Sequence, residues 1–117
     1  MMDSKNRAYK IAQELAQAIV DTEAYESYRS AKKQIEQKPE LKERIAQIRT
    51  LQMELDRALL SGHLLPEGQV KTIRNEIEKL EQDERIAYFF IAEARFSQVF
   101  SEIQEIIQRV IEQNFDQ

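Results

Sequence analysis

The feature that most constrains the fold of this chain is its last apolar run, from about Glu84 to Glu112, which contains no glycine or proline. At about 100° per residue, the hydrophobic side chains from Phe96 onward fall within an arc of roughly 140°. This arc is broader than the two-position seam of a simple coiled coil. Its members are Phe96, Val99, Phe100, Ile103, Ile106, Ile107, Val110 and Ile111. The run therefore predicts a long helix that needs helical partners.

The beginning of the same run is apolar on nearly every side. Almost all directions round the helix axis are occupied there by Ile86, Tyr88, Phe89, Phe90 and Ile91. We therefore expect the start of this helix to be enclosed and its end to pack against at least two neighbours.

The composition predicts one all-α domain over residues 1–117. Hydrophobic residues make up 42% of the chain, which excludes a disordered protein despite the 32% of charged residues. Two glycines and two prolines leave long stretches free to form helices. A chain of this length buries about two thirds of its unfolded surface, which is enough for one core.

Four further helices are predicted before the long one, with connections of only a few residues. Their starts and stops have local signals, namely capping side chains, prolines that fit a first helical position, and a terminating glycine. The expected helices run from Asp3 or Ser4 to about Val20, from the Asp21-Thr22 cap to about Gln37, from Pro39 to Ser61-Gly62, and from Pro66 to the break at Gln82-Asp83. Asp83 can cap the last helix. Short connections favour antiparallel neighbours, so we predict an antiparallel bundle of about five helices.

The predicted helix lengths indicate association between chains. The third helix should be about 34 Å long and the last about 43 Å, whereas a compact domain of this size has a radius of gyration of about 13 Å. An overhanging last helix would expose a large apolar patch unless another chain covered it. We therefore expect a homo-oligomer, most simply a two-fold dimer. The predicted interface consists of Phe89, Glu93, Phe96, Val99, Phe100, Ile103, Ile106, Ile107 and Val110.

Glu93 is the most unusual member of this interface. It lies angularly between Phe89 and Phe90, where an unpaired carboxylate would be unfavourable. One hypothesis is that Glu93 makes a polar contact in the association core with another helix or another chain. The alternative is an edge position from which the carboxylate reaches water.

No catalytic, cofactor or metal site is predicted. The single histidine, His63, has neither an orienting partner nor a nucleophile in the local sequence. The absence of cysteine excludes thiolate nucleophiles and Cys-based metal sites. Glu76, Glu78 and Glu81 alternate with apolar residues, which is typical of a solvated helix face rather than a magnesium site. We therefore expect a protein that is not an enzyme.

A net charge of −4 gives the chain no general attraction for nucleic acid or anionic membranes. Basic residues are modestly concentrated in the second and third helices, at Arg29, Lys32, Lys33, Lys38, Lys42, Arg44 and Arg49. Acidic residues such as Glu36 and Glu43 interleave with them and compensate their charge. We expect no direct nucleic-acid binding, and an RNA-binding module in this region is the alternative function.

The N-terminal sequence leads into an amphipathic stretch without the apolar core of a signal peptide. No window of the sequence approaches the length of a membrane-spanning helix. We therefore expect a cytoplasmic protein that does not bind membranes.

Five short patterns occur in order along nearly the whole chain. They are Leu15-Ala16-x-x-Ile19, Glu23-Ala24-Tyr25-x-x-Tyr28-x-x-Ala31, Pro39-Glu40-Leu41, Gly62-x-Leu64-x-Pro66, and Tyr88-Phe89-x-x-Ala92-Glu93-x-x-Phe96. Each pattern alone is weak. In their order and spacing they resemble the YlbF/YmcA family of small bacterial helical proteins, and in character they are most similar to its YheA-like branch.

The resemblance implies an all-helical, oligomeric, non-enzymatic cytoplasmic protein, found chiefly in Gram-positive bacteria. Some family members act in a complex that modulates ribonuclease Y and thereby mRNA maturation, competence, sporulation and biofilm formation. The implied partners are a second copy, other family members or RNA-decay proteins. The iron–sulfur clusters linked to that complex depend on cysteines, which this chain lacks, so we expect no cofactor. We predict a helical adaptor or regulatory protein that acts through protein–protein association.

Overall fold

The computed structural model of the protein describes residues 3–62 and 66–115. These ranges form five α-helices and contain no β-strand. The helices are α1 (Ser4–Val20), α2 (Glu23–Glu36), α3 (Pro39–Ser61), α4 (Glu67–Leu80) and α5 (Glu84–Phe115). The prediction of an all-α chain of about five helices, with a long C-terminal helix, is confirmed.

Side-chain caps begin α1 and α2 where the sequence indicates them. The Asp3 carboxylate accepts a hydrogen bond from the Lys5 backbone N–H at 3.1 Å. Thr22 Oγ1 accepts one from the Tyr25 backbone N–H, also at 3.1 Å. Each bond satisfies a backbone donor of the first turn that has no partner within its own helix.

Proline and glycine set the bounds of α3 and α4. Pro39 lies in the first turn of α3, and Gly62 ends that helix with a φ of 70°, a left-handed conformation that glycine adopts without steric penalty. Pro66 differs from the prediction, because it precedes α4 as its cap residue rather than opening the helix. Its ψ of 139° is extended, so helical geometry begins only at Glu67. His63, like Leu64 of the family pattern, lies outside the described residues.

The chain divides into two compact groups. The terminal group comprises the described parts of residues 1–30 and 91–117, which are α1, the start of α2 and most of α5. The central group comprises the described parts of residues 31–90, which are the end of α2, α3, α4 and the start of α5. The organisation as one domain over residues 1–117 stays a prediction.

The central group contains nearly all of the buried hydrophobic core. Leu41, Ile48 and Ile86 are almost completely buried, and α3 and α4 pack against each other. The other buried residues of this group are Ala31, Ile35, Ile45, Ile73 and Phe89. The buried residues of α3 recur at the three- and four-residue spacing of one helix face. Leu59, on the same face near the C-terminal end of α3, is 80% exposed.

The start of α5 is not enclosed on all sides, and the expectation that it would be is wrong. Ile86 and Phe89 are buried, whereas Tyr88 and Ile91 are 49% and 51% exposed. Tyr88 and Ile91 lie about 200° and 140° round the helix from Ile86, so they point away from the face that is buried. Only one face of this segment therefore contributes to the core.

The terminal group has little buried surface. No described residue of α1 is buried, and Ile11 is 47% exposed. Leu15 and Ile19, which lie on the same side of α1 as Ile11, are half-buried. Ala92 on α5 is the buried residue of this group, with 3% exposure.

Asp83 connects α3 with the start of α5 inside the central group. Its carboxylate caps α5 by accepting the Arg85 backbone N–H at 2.9 Å. The same carboxylate forms ion pairs with the Arg85 guanidinium at 2.9 Å and with Arg44 of α3 at 3.5 Å. The hydrogen bonds from Arg85, supported by the charges of Arg85 and Arg44, lower the pKa of Asp83 from 3.8 to about 2.

Asp83→Asn should lower the stability of the protein at neutral pH. Asn keeps a capping oxygen but removes the negative charge that forms ion pairs with Arg44 and Arg85. The pKa of Asp83 is lower in the folded state than its ordinary value. The stabilisation is therefore fully present above the ordinary value of 3.8 and is lost as the pH falls towards 2. We expect the urea midpoints of wild type and variant to differ at pH 7 and to converge as the pH falls from 3.8 towards 2.

Asp3→Asn is the matched control, because it also replaces a capping aspartate by asparagine. We expect this control to leave the urea midpoint nearly unchanged across the whole pH range. A difference between Asp83→Asn and wild type that stays constant down to pH 2 would contradict the role assigned to the Asp83 charge.

Candidate association surface

The C-terminal half of α5 carries a continuous apolar face that the terminal group leaves largely uncovered. This face, the α5 stripe, consists of Phe100, Ile103, Ile106, Ile107, Val110 and Ile111. Five of these side chains are between 43% and 58% exposed, and Ile103 is half-buried. Their three- and four-residue spacing places them on one side of the helix. The α5 stripe is therefore an apolar surface wide enough to contact another helix.

Polar side chains of α5 make contacts among themselves, away from the α5 stripe. The Gln98 amide donates to the Glu102 carboxylate at 3.2 Å, and Arg109 pairs with Glu105 at 3.7 Å. A third such contact, at 3.1 Å, joins the side chains of Gln108 and Glu112. These contacts between residues one turn apart support the helix on its polar side. None of the charged residues in these contacts belongs to the α5 stripe.

An aromatic cluster lies immediately before the α5 stripe. The ring of Phe96 stacks on Tyr28 at 5.5 Å between centroids and meets Tyr25 edge-on at 5.4 Å. Phe96 also contacts the ring of Phe100 at 6.2 Å. Such pairs add about 1 kcal/mol each beyond their buried area. Phe96, which is on the predicted interface, is thus partly used to join α2 to α5.

The other residues of the predicted interface differ in how much of each side chain is exposed. Phe89 is 4% exposed, so its side chain belongs to the core of the central group. Glu93 and Val99 are half-buried. Ile106, Ile107 and Val110 are about half exposed. The exposed apolar surface is therefore concentrated at the C-terminal end of the predicted set.

Arg29 and Arg44, among the basic residues noted in the sequence, have acidic partners. Arg29 pairs with Glu26 at 3.5 Å, and Arg44 pairs with Asp83 as described above. Lys32, Lys42 and Arg49 line one groove of the central group. Periodicity could not reveal this grouping, because the three residues come from two different helices.

A larger groove of about 650 Å³ runs between α3 and α4 in the central group. Ala46, Leu51 and Leu80 give it an apolar lining, while Glu43 and Lys79 bring opposite charges to it. Sequence reasoning missed this groove, since it exists only where the two helices pack. Its mixed charge favours no particular class of partner.

Two kinds of site are absent from the part of the chain that the structure describes. Within residues 3–62 and 66–115, no three side chains of His, Asp or Glu are placed to hold a metal ion together. His63 falls outside these ranges. None of the helices described combines the length and hydropathy needed to cross a bilayer.

The fold and the α5 stripe define a small all-α protein with an exposed apolar helix face. The model of the family described as control of competence regulator ComK, YlbF/YmcA, matches residues 8–112. The chain therefore belongs to the YlbF/YmcA family. Its placement in the YheA-like branch stays a prediction.

Relatives in other bacteria extend over nearly the same length. The chain is 29% identical to a UPF0342 protein of Staphylococcus epidermidis over 105 residues, covering 90% of this chain and 92% of the relative. It is 30% identical to a UPF0342 protein of Symbiobacterium thermophilum over 104 residues, covering 89% of this chain and 93% of that relative.

Two solved structures are similar in fold. A DUF964 protein of unknown function from Bacillus stearothermophilus matches with a TM-score of 0.69, covering 89% of this chain and 91% of that one. RicA of Bacillus subtilis in complex with RicF matches with a TM-score of 0.59, covering 97% and 99%. Both are 20% identical to this chain, so they establish a shared fold only.

Proposed function

We propose that this protein is a non-enzymatic adaptor or regulator that acts by packing the α5 stripe against another helical surface. The observation that carries the proposal is the exposure of Phe100, Ile106, Ile107, Val110 and Ile111 on one side of a single helix. A contiguous apolar face of this kind is typical of a protein–protein interaction site. Burial of the stripe would gain about 25 cal/mol for each Å² of apolar surface removed from water.

A second copy of the chain is the partner that we propose for the stripe. The six residues of the stripe carry no charge, so two copies can meet without placing like charges opposite each other. A helix face that meets its own copy closes as a two-fold dimer, with the same residues used on both sides. The aliphatic residues Ile106, Ile107 and Val110 are suited to such helix packing.

Membership of the family supports a regulatory role, because the family description refers to control of a competence regulator. The RicA–RicF complex shows that a protein with this fold binds another protein. We propose that this chain acts in the cytoplasm with itself, with other family members or with proteins of RNA decay. Because the chain has no cysteine, it cannot hold an iron–sulfur cluster through thiolates.

Ile107→Glu tests the proposed dimer by placing a charge in the middle of the α5 stripe. At about 50 µM, we expect wild type to show twice the chain mass of 13.8 kDa in light scattering after gel filtration. The variant should raise the dimer dissociation constant at least about 100-fold, because the carboxylate would be buried without a partner. It should keep its helical circular dichroism.

Gln108→Glu is the matched control, since it adds the same charge at the next position, away from the stripe. This control should keep the mass of wild type. A wild-type protein that is strictly monomeric at this concentration would refute self-association. Equal masses for the two variants would show that self-association does not use the α5 stripe.

Glu93→Gln tests whether the half-buried Glu93 makes a polar contact in the association core. Removal of its charge should lower the melting temperature or the fraction of dimer, since a partly buried charged hydrogen bond contributes about 1.5–3 kcal/mol. Glu102→Gln, on an exposed residue of the same helix, is the control and should change neither. The hypothesis fails if Glu93→Gln also leaves both the oligomer mass and the melting temperature unchanged.

A further inference from the structure

The terminal group contains a second apolar helix face besides the α5 stripe. This face, the α1 face, consists of Ala8, Ile11, Ala12, Leu15 and Ile19. Their spacing of three and four residues places them on one side of α1. The first three of these residues are exposed and the other two are half-buried. The chain itself therefore leaves the α1 face largely uncovered.

Helix α1 lacks the packing that normally stabilises a helix of its length. Its 17 residues only slightly exceed the length of about 12–15 residues below which isolated helices are marginal in water. Most of the stability of a protein helix comes from the packing of its amphipathic face, yet no described residue of α1 is buried. The cap at Asp3 supports only the first turn. The α1 face is therefore suited to packing against another helix.

The α5 stripe alone offers less apolar surface than a stable dimer buries. A standard interface removes about 800 Å² from each partner, and about 65% of it, or about 520 Å², is apolar in homodimers. Full burial of one large apolar side chain corresponds to about 60–120 Å² of apolar surface. Five stripe residues that are between 43% and 58% exposed therefore supply about 150–300 Å² per chain. The remainder has to come from other apolar residues.

The α5 stripe is also too wide for a single neighbouring helix. Its residues spread over about 140° of the α5 surface, whereas the contact between two helices uses a narrower seam. When the stripes of two copies meet, part of each stripe therefore stays uncovered. The α1 face and the α5 stripe belong to the same group of the chain. Both are largely exposed there, so within one copy they do not cover each other.

We infer that the α1 face packs against the outer part of the α5 stripe of a second copy, an inference that rests on the proposed dimer. Each copy then contributes α1 and the C-terminal half of α5 to one shared interface. The small side chains of Ala8 and Ala12 leave room for a bulky side chain of the stripe, such as Ile111. This allows the two helix axes to approach to about 8–10 Å.

The charged residues at the edges of the two faces have opposite signs. Lys5 and Arg7 border the α1 face, about 80° to either side of its centre. Glu14 lies farther round α1, one turn from Lys10, which offsets its charge. Glu102 borders the α5 stripe, and its carboxylate accepts a hydrogen bond from a neutral amide, so it keeps its negative charge. Edges of opposite charge can therefore meet around the apolar contact.

Ile11→Glu tests the inference by placing a charge on the α1 face of the full-length chain. Ile11 is 47% exposed, so we expect the helical circular dichroism to stay unchanged. The dimer dissociation constant, measured by light scattering over a series of concentrations, should rise at least about tenfold, because the carboxylate would meet the apolar stripe of the second copy. Gln13→Glu adds the same charge about 160° from the centre of the face and should stay within about twofold of wild type.

A cross-linking measurement tests which helices meet. Because the chain has no cysteine, the single-cysteine variants Ala12→Cys and Val110→Cys can be mixed, with an affinity tag on one of them. After subunit exchange, the mixture is treated with a short bis-maleimide. A product that joins the two variants can form only between copies. We expect several-fold more of this product than from the control mixture of Gln13→Cys with Val110→Cys, because Gln13 lies away from the α1 face.

The outcomes separate this inference from the proposed function. A wild-type chain that is monomeric at about 50 µM would refute both. A dimer that Ile107→Glu dissociates, but that Ile11→Glu and Gln13→Glu affect equally, would keep the proposed function and refute the α1 contact. Equal amounts of cross-linked product from the two mixtures would also refute the α1 contact, and would leave the α1 face to a different partner protein.

Discussion

The continuity of α5 is the constraint on which the rest of the structure depends. Its 32 residues form one helix about 48 Å long, and its two ends have different surroundings. Ile86 and Phe89 at the start are buried with the core residues of α3, whereas the α5 stripe is largely exposed. Asp83 fixes where this helix begins, since it caps α5 and pairs with Arg44 of α3. A helix that supplies a core at one end and an apolar face at the other is suited to a protein that works by association.

Most of the fold could be predicted from the sequence because its signals are local. Asp3, Thr22 and Asp83 cap their helices through side-chain oxygens, and each contact spans only two or three residues. Gly62 ends α3 through its own left-handed backbone conformation, which is an equally local signal. The enclosed start of α5 was wrongly predicted because periodicity shows which side chains are apolar, whereas the packing of other helices decides which apolar side is covered.

The candidate surfaces were predictable only in part, for a related physical reason. The α5 stripe lies on one helix, so its residues and their common face follow from the spacing of three and four. Phe89 was predicted as part of the interface, yet its side chain is buried in the core of the central group. The groove lined by Lys32, Lys42 and Arg49 and the pairing of Arg44 with Asp83 join residues from different helices. Such contacts depend on helix packing, and a single sequence carries no direct signal for them.

The most direct test of the account is to measure whether the α5 stripe is covered in solution. Because the chain has no cysteine, Val110→Cys introduces a single thiol on the stripe, and Gln108→Cys introduces one away from it. The measurement is the rate of alkylation by iodoacetamide at about 1 µM and about 100 µM protein. The account predicts that the Val110→Cys thiol reacts several-fold more slowly at the higher concentration, while the Gln108→Cys thiol reacts equally at both. A Val110→Cys rate that does not change with protein concentration, in a protein that is monomeric throughout, would contradict the account.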